Sequence, residues 1–328
     1  MPAGINTDQG AVKQRPANRE SLAMVLSRSI VRNKIVLCAV FAAICPSMSL
    51  TAEESRKGHG HLTVEYQYIS VDGFEASIGE IDIGTTDTHT LFFELDYNLT
   101  DRVAVFVGLP LVRKRYQGNF PHAVAGLDPP NNTAAFIDDG KFRTEWQDWH
   151  LGLRYLAKDG PLSIEPFISL GVPSNDYPFF AHAAVGQNLN KLDVGADFTY
   201  VPPISDAFYR LGVAYVFVEE TLGTNIDHWR ISGDAGYFFG PRLSGRVFFM
   251  LKHGNGLVFP DDFPPPRTDE HWYQHDRMVK HNYMNVGAAV DWAINENYAL
   301  STAVMTMVWA DQVHIMDYTI NMALTWSF

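Results

Sequence analysis

Cysteine is nearly absent from this chain of 328 residues: only Cys38 and Cys45 occur, and both fall in one apolar segment near the start. Once that segment is removed, no disulfide, thiolate metal site or cysteine nucleophile is available. Ile44, directly before Cys45, is not the small residue that lipoprotein processing prefers, so lipidation is not expected. The body also lacks any run of 18 apolar residues, which argues against a transmembrane helix there. Basic charge is scarce. The formal net charge is −12, and without residues 1–52 the chain keeps 19 Lys/Arg against 35 Asp/Glu. Such a surface repels nucleic acid, so no DNA or RNA partner is expected.

The one apolar stretch reads "IVRNKIVLCAVFAAICPSMSLTA", with Arg28, Arg32 and Lys34 ahead of an oily core from Ile35 to Ile44. A basic flank, a short apolar core and a small-residue exit at Thr51-Ala52 describe a secretory signal peptide. The expected organisation is an N-terminal extension and signal peptide over 1–52 and one β domain over 53–328. The polar stretch before Met24 is unusual for a leader and makes Met24 a second candidate start. A buried helix is the competing reading of the segment.

What the body does have is alternation. From Met316 to Phe328 every second residue is apolar or aromatic, while Asp317, Thr319, Asn321, Ala323, Thr325 and Ser327 fill the gaps. Successive residues of a strand face opposite sides, so this segment has one oily flank along its whole length. Similar runs recur, among them Leu91, Phe93, Leu95, Tyr97; Trp149, Leu151, Leu153, Tyr155; and Leu243, Gly245, Val247, Phe249, Leu251. Short turn-like connections at 98–102, 157–161, 201–207, 239–242 and 294–298 alternate with longer ones near 70–85, 116–143, 174–186, 220–226 and 254–277. Only the last long-side connection, near Ala310, reads as tight. The count is about twelve strands. An even set of antiparallel strands, with short turns at one end and long loops at the other, is the layout of an all-β, transmembrane, up-and-down barrel.

The apolar faces that run toward the short turns end in aromatics: Tyr97, Tyr155, Tyr200, Tyr237 with Phe239, Trp292, and Trp326 with Phe328. One such residue is ordinary strand-end packing, but six strands in phase match the aromatic girdle of a membrane interface. The opposite parity carries Glu65, Gln67, Glu94, Asp96, Arg102, His150, Arg154, Glu165, Lys191, Asp193, Asp197, Arg210, Arg230, Asp234, Arg246, Lys252, Asp291 and Asp317. Unpaired charge in a dry core is very costly, so these groups need water or each other. A polar lumen inside an apolar belt meets both needs, and closure leaves no strand edge in lipid. The candidate lumen-lining residues are therefore Glu65, Glu94, Asp96, Arg102, His150, Arg154, Glu165, Asp193, Arg210, Arg230, Asp234, Arg246 and Asp291. Phe106, Phe167, Phe238 and Phe248 share that parity and are candidates for an apolar stretch among the charges.

Two resemblances follow from these residues. The final strand ending in Phe328 resembles the C-terminal signal by which outer-membrane barrels are recognised, which implies the barrel-assembly machinery as a partner. The segment "DWHLGLRYLAKDGPLSIEPFISLGVPSNDY" (148–177) resembles a family of outer-membrane proteins named for the meta-cleavage pathway of phenol degradation. Asp148, Arg154, Tyr155, Pro166 and Pro173 stand at the family's positions, with Ser174-Asn175 where it has Thr-Gly. The resemblance implies a bacterial outer-membrane barrel that admits small hydrophobic or aromatic compounds, without catalytic residues or cofactor.

Sites of chemistry are sparse. His271, His275 and His281 are spaced four then six apart, which fits no ligand motif, and "PDDFPPPRTDE" before them reads as an exposed loop. His59 and His61 lie in the first residues of the β domain, and no metal is expected at either group. His150 has no serine at an obvious paired level, His314 has no clear acid partner, and Asp128, Asp138 and Asp139 read as solvated loop charge. The sequence thus points to a passive outer-membrane channel for a small-molecule solute, not an enzyme, with inward-folding loops near 116–143 and 254–277. The alternatives are a structural or adhesion barrel plugged by its own ion pairs, and a barrel hydrolase. Oligomeric state is open.

Overall fold

The computed structural model describes residues 56–119, 122, 137–265, 267 and 269–328. The expected extension and signal peptide, and Asp128, lie outside the described residues. In chain order the strands are β1 (Gly60–Ala76), β2 (Gly79–Asn98), β3 (Val103–Gln117), β4 (two stretches, Arg143–Trp146 and Asp148–Tyr155), β5 (Leu162–Pro173) and β6 (Lys191–Tyr200). They continue as β7 (Ala207–Val218), β8 (His228–Gly240), β9 (Leu243–Gly254), β10 (Asn282–Ala293), β11 (Tyr298–Asp311) and β12 (Val313–Ser327). Each strand pairs antiparallel with its neighbours in sequence, and β1 closes the sheet on β12 with Leu62 opposite Trp326 and Tyr68 opposite Ile320. Phe328 completes the seam. Its amide donates to the Gly60 carbonyl at 3.0 Å and its carbonyl accepts from Gly60 at 2.8 Å.

The closed, twelve-stranded, all-antiparallel barrel is the architecture that the alternation implies. β4 is interrupted at Gln147, where one extra residue opposes β3: Gly108 pairs His150 but Leu111 pairs Trp146. Pro110 lies at this bulge with no N–H to give, and its carbonyl takes the Gln147 amide at 2.9 Å.

One connection departs from expectation. The stretch 70–85 is not a long loop: β1 and β2 run 17 and 20 residues and meet in a tight turn at 77–78. Cross-strand pairs persist to Ala76 opposite Gly79, because Gly73 and Gly79, at φ +81° and +103°, bend the ribbon without breaking it. The other long connections stand where expected, and Gln312, at φ +59°, makes the tight link between β11 and β12.

The outward parity is the apolar one. Leu151, Leu153, Ile168, Leu170, Val194, Leu211, Val247, Ile320 and Leu324 are all solvent-facing in the isolated chain. Near the short turns stand Tyr97, Tyr155, Tyr200, Tyr209, Tyr237, Phe239, Trp292, Tyr298, Trp326 and Phe328. A second set, Trp146, Trp149, Phe217, Trp229, Trp309 and Tyr318, lies toward the long loops and is also exposed. From Tyr298 to Trp309 along β11 is about 36 Å at the usual rise, or about 28 Å along the axis at a ~40° tilt. From Tyr237 back to Trp229 the same reckoning gives about 20 Å. These values bracket the ~25 Å apolar band of known membrane barrels. No helix among the described residues is long and apolar enough to cross a membrane.

Candidate functional site

The inward parity holds many of its charges in pairs that run around the wall. Arg154 Nη1 donates to Asp96 Oδ2 at 2.6 Å, and its Nε stands 3.9 Å from Glu165. Asp96 is on β2 and Arg154 on β4, so the pair spans β3, where the paired residue Ala104 leaves room. Arg230 reaches from β8 over Ala214 to Asp193 on β6 at 2.7 Å in the same way. Arg210 donates to Asp234 at 2.9 Å directly across the β7–β8 ladder. Arg246 sits 3.9 Å from Asp234 and 3.8 Å from Asp291, whose other partner is Ser244 at 3.0 Å. Glu65 accepts from Asn321 at 2.8 Å. Glu94 and Asp197, on the same inward parity, stand outside these pairs, and Asp291 Oδ1 is sealed from solvent without a hydrogen-bond partner.

Two cavities open between these groups. The first, of about 280 Å³, is lined by Glu94, His150, Arg154, Asp193 and Arg230 together with Phe92, Phe106 and Phe167. The second, of about 460 Å³, lies toward the loops and includes Glu65, Lys114, Gln147, Val185 and His314. Phe92 and His150 line both, so the two adjoin. Of the remaining candidates, Asp96, Glu165, Arg210, Asp234, Arg246 and Asp291 hold the charge ladder beside the first cavity. Arg102 differs. It is exposed in the short turn before β3, its carbonyl taking the Leu156 amide at 2.7 Å, because the β2 ladder ends at Asn98 before reaching it. Phe238 packs on Phe208 with ring centroids 4.9 Å apart, and neither it nor Phe248 belongs to the first cavity's lining.

The inward phenylalanines lie flat along the wall because a neighbouring strand offers a glycine. A Cβ on Gly108 would meet the Phe92 ring at 2.6 Å. Ring over glycine is a recurrent way to cover a bare strand position. It keeps the aromatic face on the cavity without filling it.

Above the cavities the long connections fold together. The 174–190 connection carries Tyr177, Phe179, Phe180, Ala181, His182, Ala183 and Ala184, all buried. Lys114 Nζ donates to the Ala184 carbonyl at 3.0 Å, and the His182 ring stands 5.4 Å from that of His314, so this loop reaches the lumen wall. The 255–281 connection contains a helical turn, α1 (Glu270–Tyr273), capped by Asp269, whose side chain accepts from the Trp272 amide at 3.0 Å. Tyr273 and Trp272 pack on Phe179 and Phe180. Arg277 clamps the two connections, donating to the carbonyls of Gln187 and Asn188 at 2.7 and 2.6 Å. The expectation of an exposed loop around His271–His281 is therefore corrected: His275 is buried against Phe180 of the neighbouring connection, and Met278 is wholly buried with Phe263, Val279 and Phe74 of β1.

His275 meets His122 and Asp276, and His122 meets Asp138 and His182, at the junction of three connections. Asp138, expected as a solvated loop charge, is instead buried. Its Oδ2 accepts from the amides of His122 and His182 at 3.0 and 3.1 Å, and its Oδ1 from Ala183 at 2.8 Å. Burial alone would raise this carboxyl, but the bonds from His122 and Ala183 outweigh it and bring it to about 2. Asp276 is likewise held below the ordinary carboxylate range: burial opposes this, and His275 and His122 prevail. His281, by contrast, is pushed down to about 3 by burial with Lys252 nearby, and His271 lies against Phe263. So the histidines grouped in sequence separate in space, and His122 and His182, which no motif marks, join one of them.

A closed antiparallel barrel with an apolar, doubly girdled exterior and an ion-paired interior defines the class: a transmembrane β-barrel of the outer-membrane type. No protein-family model matches the chain, and no curated protein matches its sequence. Among solved structures it is similar to an outer membrane channel from Pseudomonas putida F1, at 13% identity and TM-score 0.64 over 87% of this chain and 100% of that one. At lower scores it matches the NanC porin, 7% identical over 81% and 98% of the two chains with TM-score 0.47. It also matches the CymD monoaromatic hydrocarbon channel, 11% identical over 83% and 89% with TM-score 0.44. At these identities the likeness is one of fold.

Proposed function

We propose that the chain is an exported outer-membrane channel through which small hydrophobic or aromatic compounds pass, of the kind met in the family named for the meta-cleavage pathway of phenol degradation. The observation that carries this reading is the first cavity, where Phe92, Phe106 and Phe167 stand among charged side chains. Aromatic faces attract a flat apolar solute, and the two guanidinium groups of the lining, Arg154 and Arg230, are held by Asp96 and Asp193 and so do not have to be stripped of water as it passes. The lumen side chains thereby set selectivity, and the folded connections above them restrict entry. The channel named from Pseudomonas putida shares the fold, and CymD is named for monoaromatic hydrocarbons. No reaction is assigned to the barrel. Lipid is its surrounding partner, and the β12 strand with Phe328 is its handle for the assembly machinery.

The second reading is a plugged barrel with a structural role. The packed connections over the second cavity favour it. Reconstitution in a planar bilayer separates the two: discrete conductance steps and uptake of labelled phenol into liposomes support the channel, and neither occurring leaves the plugged barrel.

A further inference from the structure

We propose that the junction of the three long connections is a binding site for a divalent transition-metal ion of the zinc type, held by His122 Nε2, His275 Nε2 and the Asp276 carboxylate. The distances carry the proposal. His122 Nε2 and His275 Nε2 are 3.3 Å apart, His275 Nε2 and Asp276 Oδ1 3.3 Å, and His122 Nε2 and Asp276 Oδ2 3.7 Å. Ligands about 2.0–2.2 Å from a tetrahedral zinc ion stand about 3.3–3.6 Å from one another. The ring centroids are farther apart, at 5.1 Å, so the imidazoles approach through their nitrogens.

The outer ring nitrogen of His275 is already oriented, and that of His122 has a carboxylate near it. His275 Nδ1 lies 2.8 Å from the Trp272 carbonyl, which fixes the proton there and turns the Nε2 lone pair toward the junction. His122 Nδ1 lies 3.4 Å from Asp138 Oδ2. A carbonyl or carboxylate behind each ligating imidazole is the usual second layer of a zinc site. Asp276 Oδ2 is sealed from solvent and has no hydrogen-bond partner, an arrangement that a cation resolves. Asp138, saturated by three backbone amides, serves as support and not as ligand. Two histidines and one carboxylate leave a fourth position open, and the ion would tie the 118–142 connection to the 255–281 connection. The bland alternative is a proton shared between the two imidazoles.

The test uses full-length protein in detergent, free of any histidine tag and dialysed against a chelator, titrated with Zn²⁺ alone and then with Co²⁺. The expected result is one equivalent of Zn²⁺ per chain and a visible Co²⁺ band of four-coordinate intensity. His122→Ala and Asp276→Asn should each abolish both, Asp138→Asn should weaken binding by about 10–100-fold, and His271→Ala should leave it unchanged. Heat-dependent gel mobility checks that each barrel is folded, and Asp276→Asn, nearly isosteric, stands if the His122 variant is not. No uptake by the unaltered protein, or equal uptake by all folded variants, overturns the site.

Discussion

Asp96 and Arg154 meet at 2.6 Å across an intervening strand, over the buried Ala104. The pair is half-buried and its next nearest acid, Glu165, is 3.9 Å from the guanidinium. Asp96→Asn should lower unfolding stability in lipid vesicles by about 1–3 kcal/mol, since it leaves a partly desolvated cation with one weak partner. A double-mutant cycle with Arg154→Gln measures the coupling; independent, additive losses would mean that the pair does not act as one unit.

Gly108 should tolerate no side chain while Phe92 is present. Gly108→Ala places a methyl 2.6 Å from the Phe92 ring, with the nearest backbone atom at 3.5 Å. The expected cost is about 1–3 kcal/mol. Phe92→Ala in the same chain should recover part of it, and urea titration of the three variants reads the difference.

The lipid face should reject charge by depth. Leu151 is 55% exposed on β4, within the apolar band. Leu151→Arg should cost about 2–4 kcal/mol of folding free energy in bilayers. The same substitution at Ile204, fully exposed in a short turn, should cost about 1 kcal/mol or less. Equal effects would place protein or water, not lipid, against β4.

Acid should loosen the loop cluster before the barrel. The folded pKa of Asp138, about 2, is below its ordinary 3.8. Its contribution, roughly 2 kcal/mol, is therefore present above pH ~4 and is lost as pH falls through ~2. Hydrogen exchange at the His182 and Ala183 amides, which Asp138 accepts, should quicken across that window relative to β-strand amides. Protection that stays constant down to pH ~2 would remove Asp138 from the anchor.

The strands were legible because a barrel in lipid reverses nothing but the usual place of the oily face: Leu91-Phe93-Leu95-Tyr97 on β2 keeps its period of two whichever side is wet. The girdle near the short turns was legible for the same reason. The second one was not, since Trp146, Trp229 and Trp309 border loops of unequal length and bulges at Gln147 and near Trp309 break the phase. The ion pairs that span a strand depend on Ala104 and Ala214 lying between them, a relation among three strands that no single run reveals. The loop cluster was invisible. His122, Asp138, His182 and His275 come from segments far apart in sequence, and what joins them is packing of Phe179, Phe180 and Tyr273 above the lumen.

The central claim is that hydrocarbon covers the outward side chains, and removal of detergent tests it most directly. Purified protein exchanged into plain buffer should lose its folded, monodisperse state, and should keep it when lipid vesicles are supplied. A folded, monodisperse chain in buffer without detergent or lipid would contradict the account.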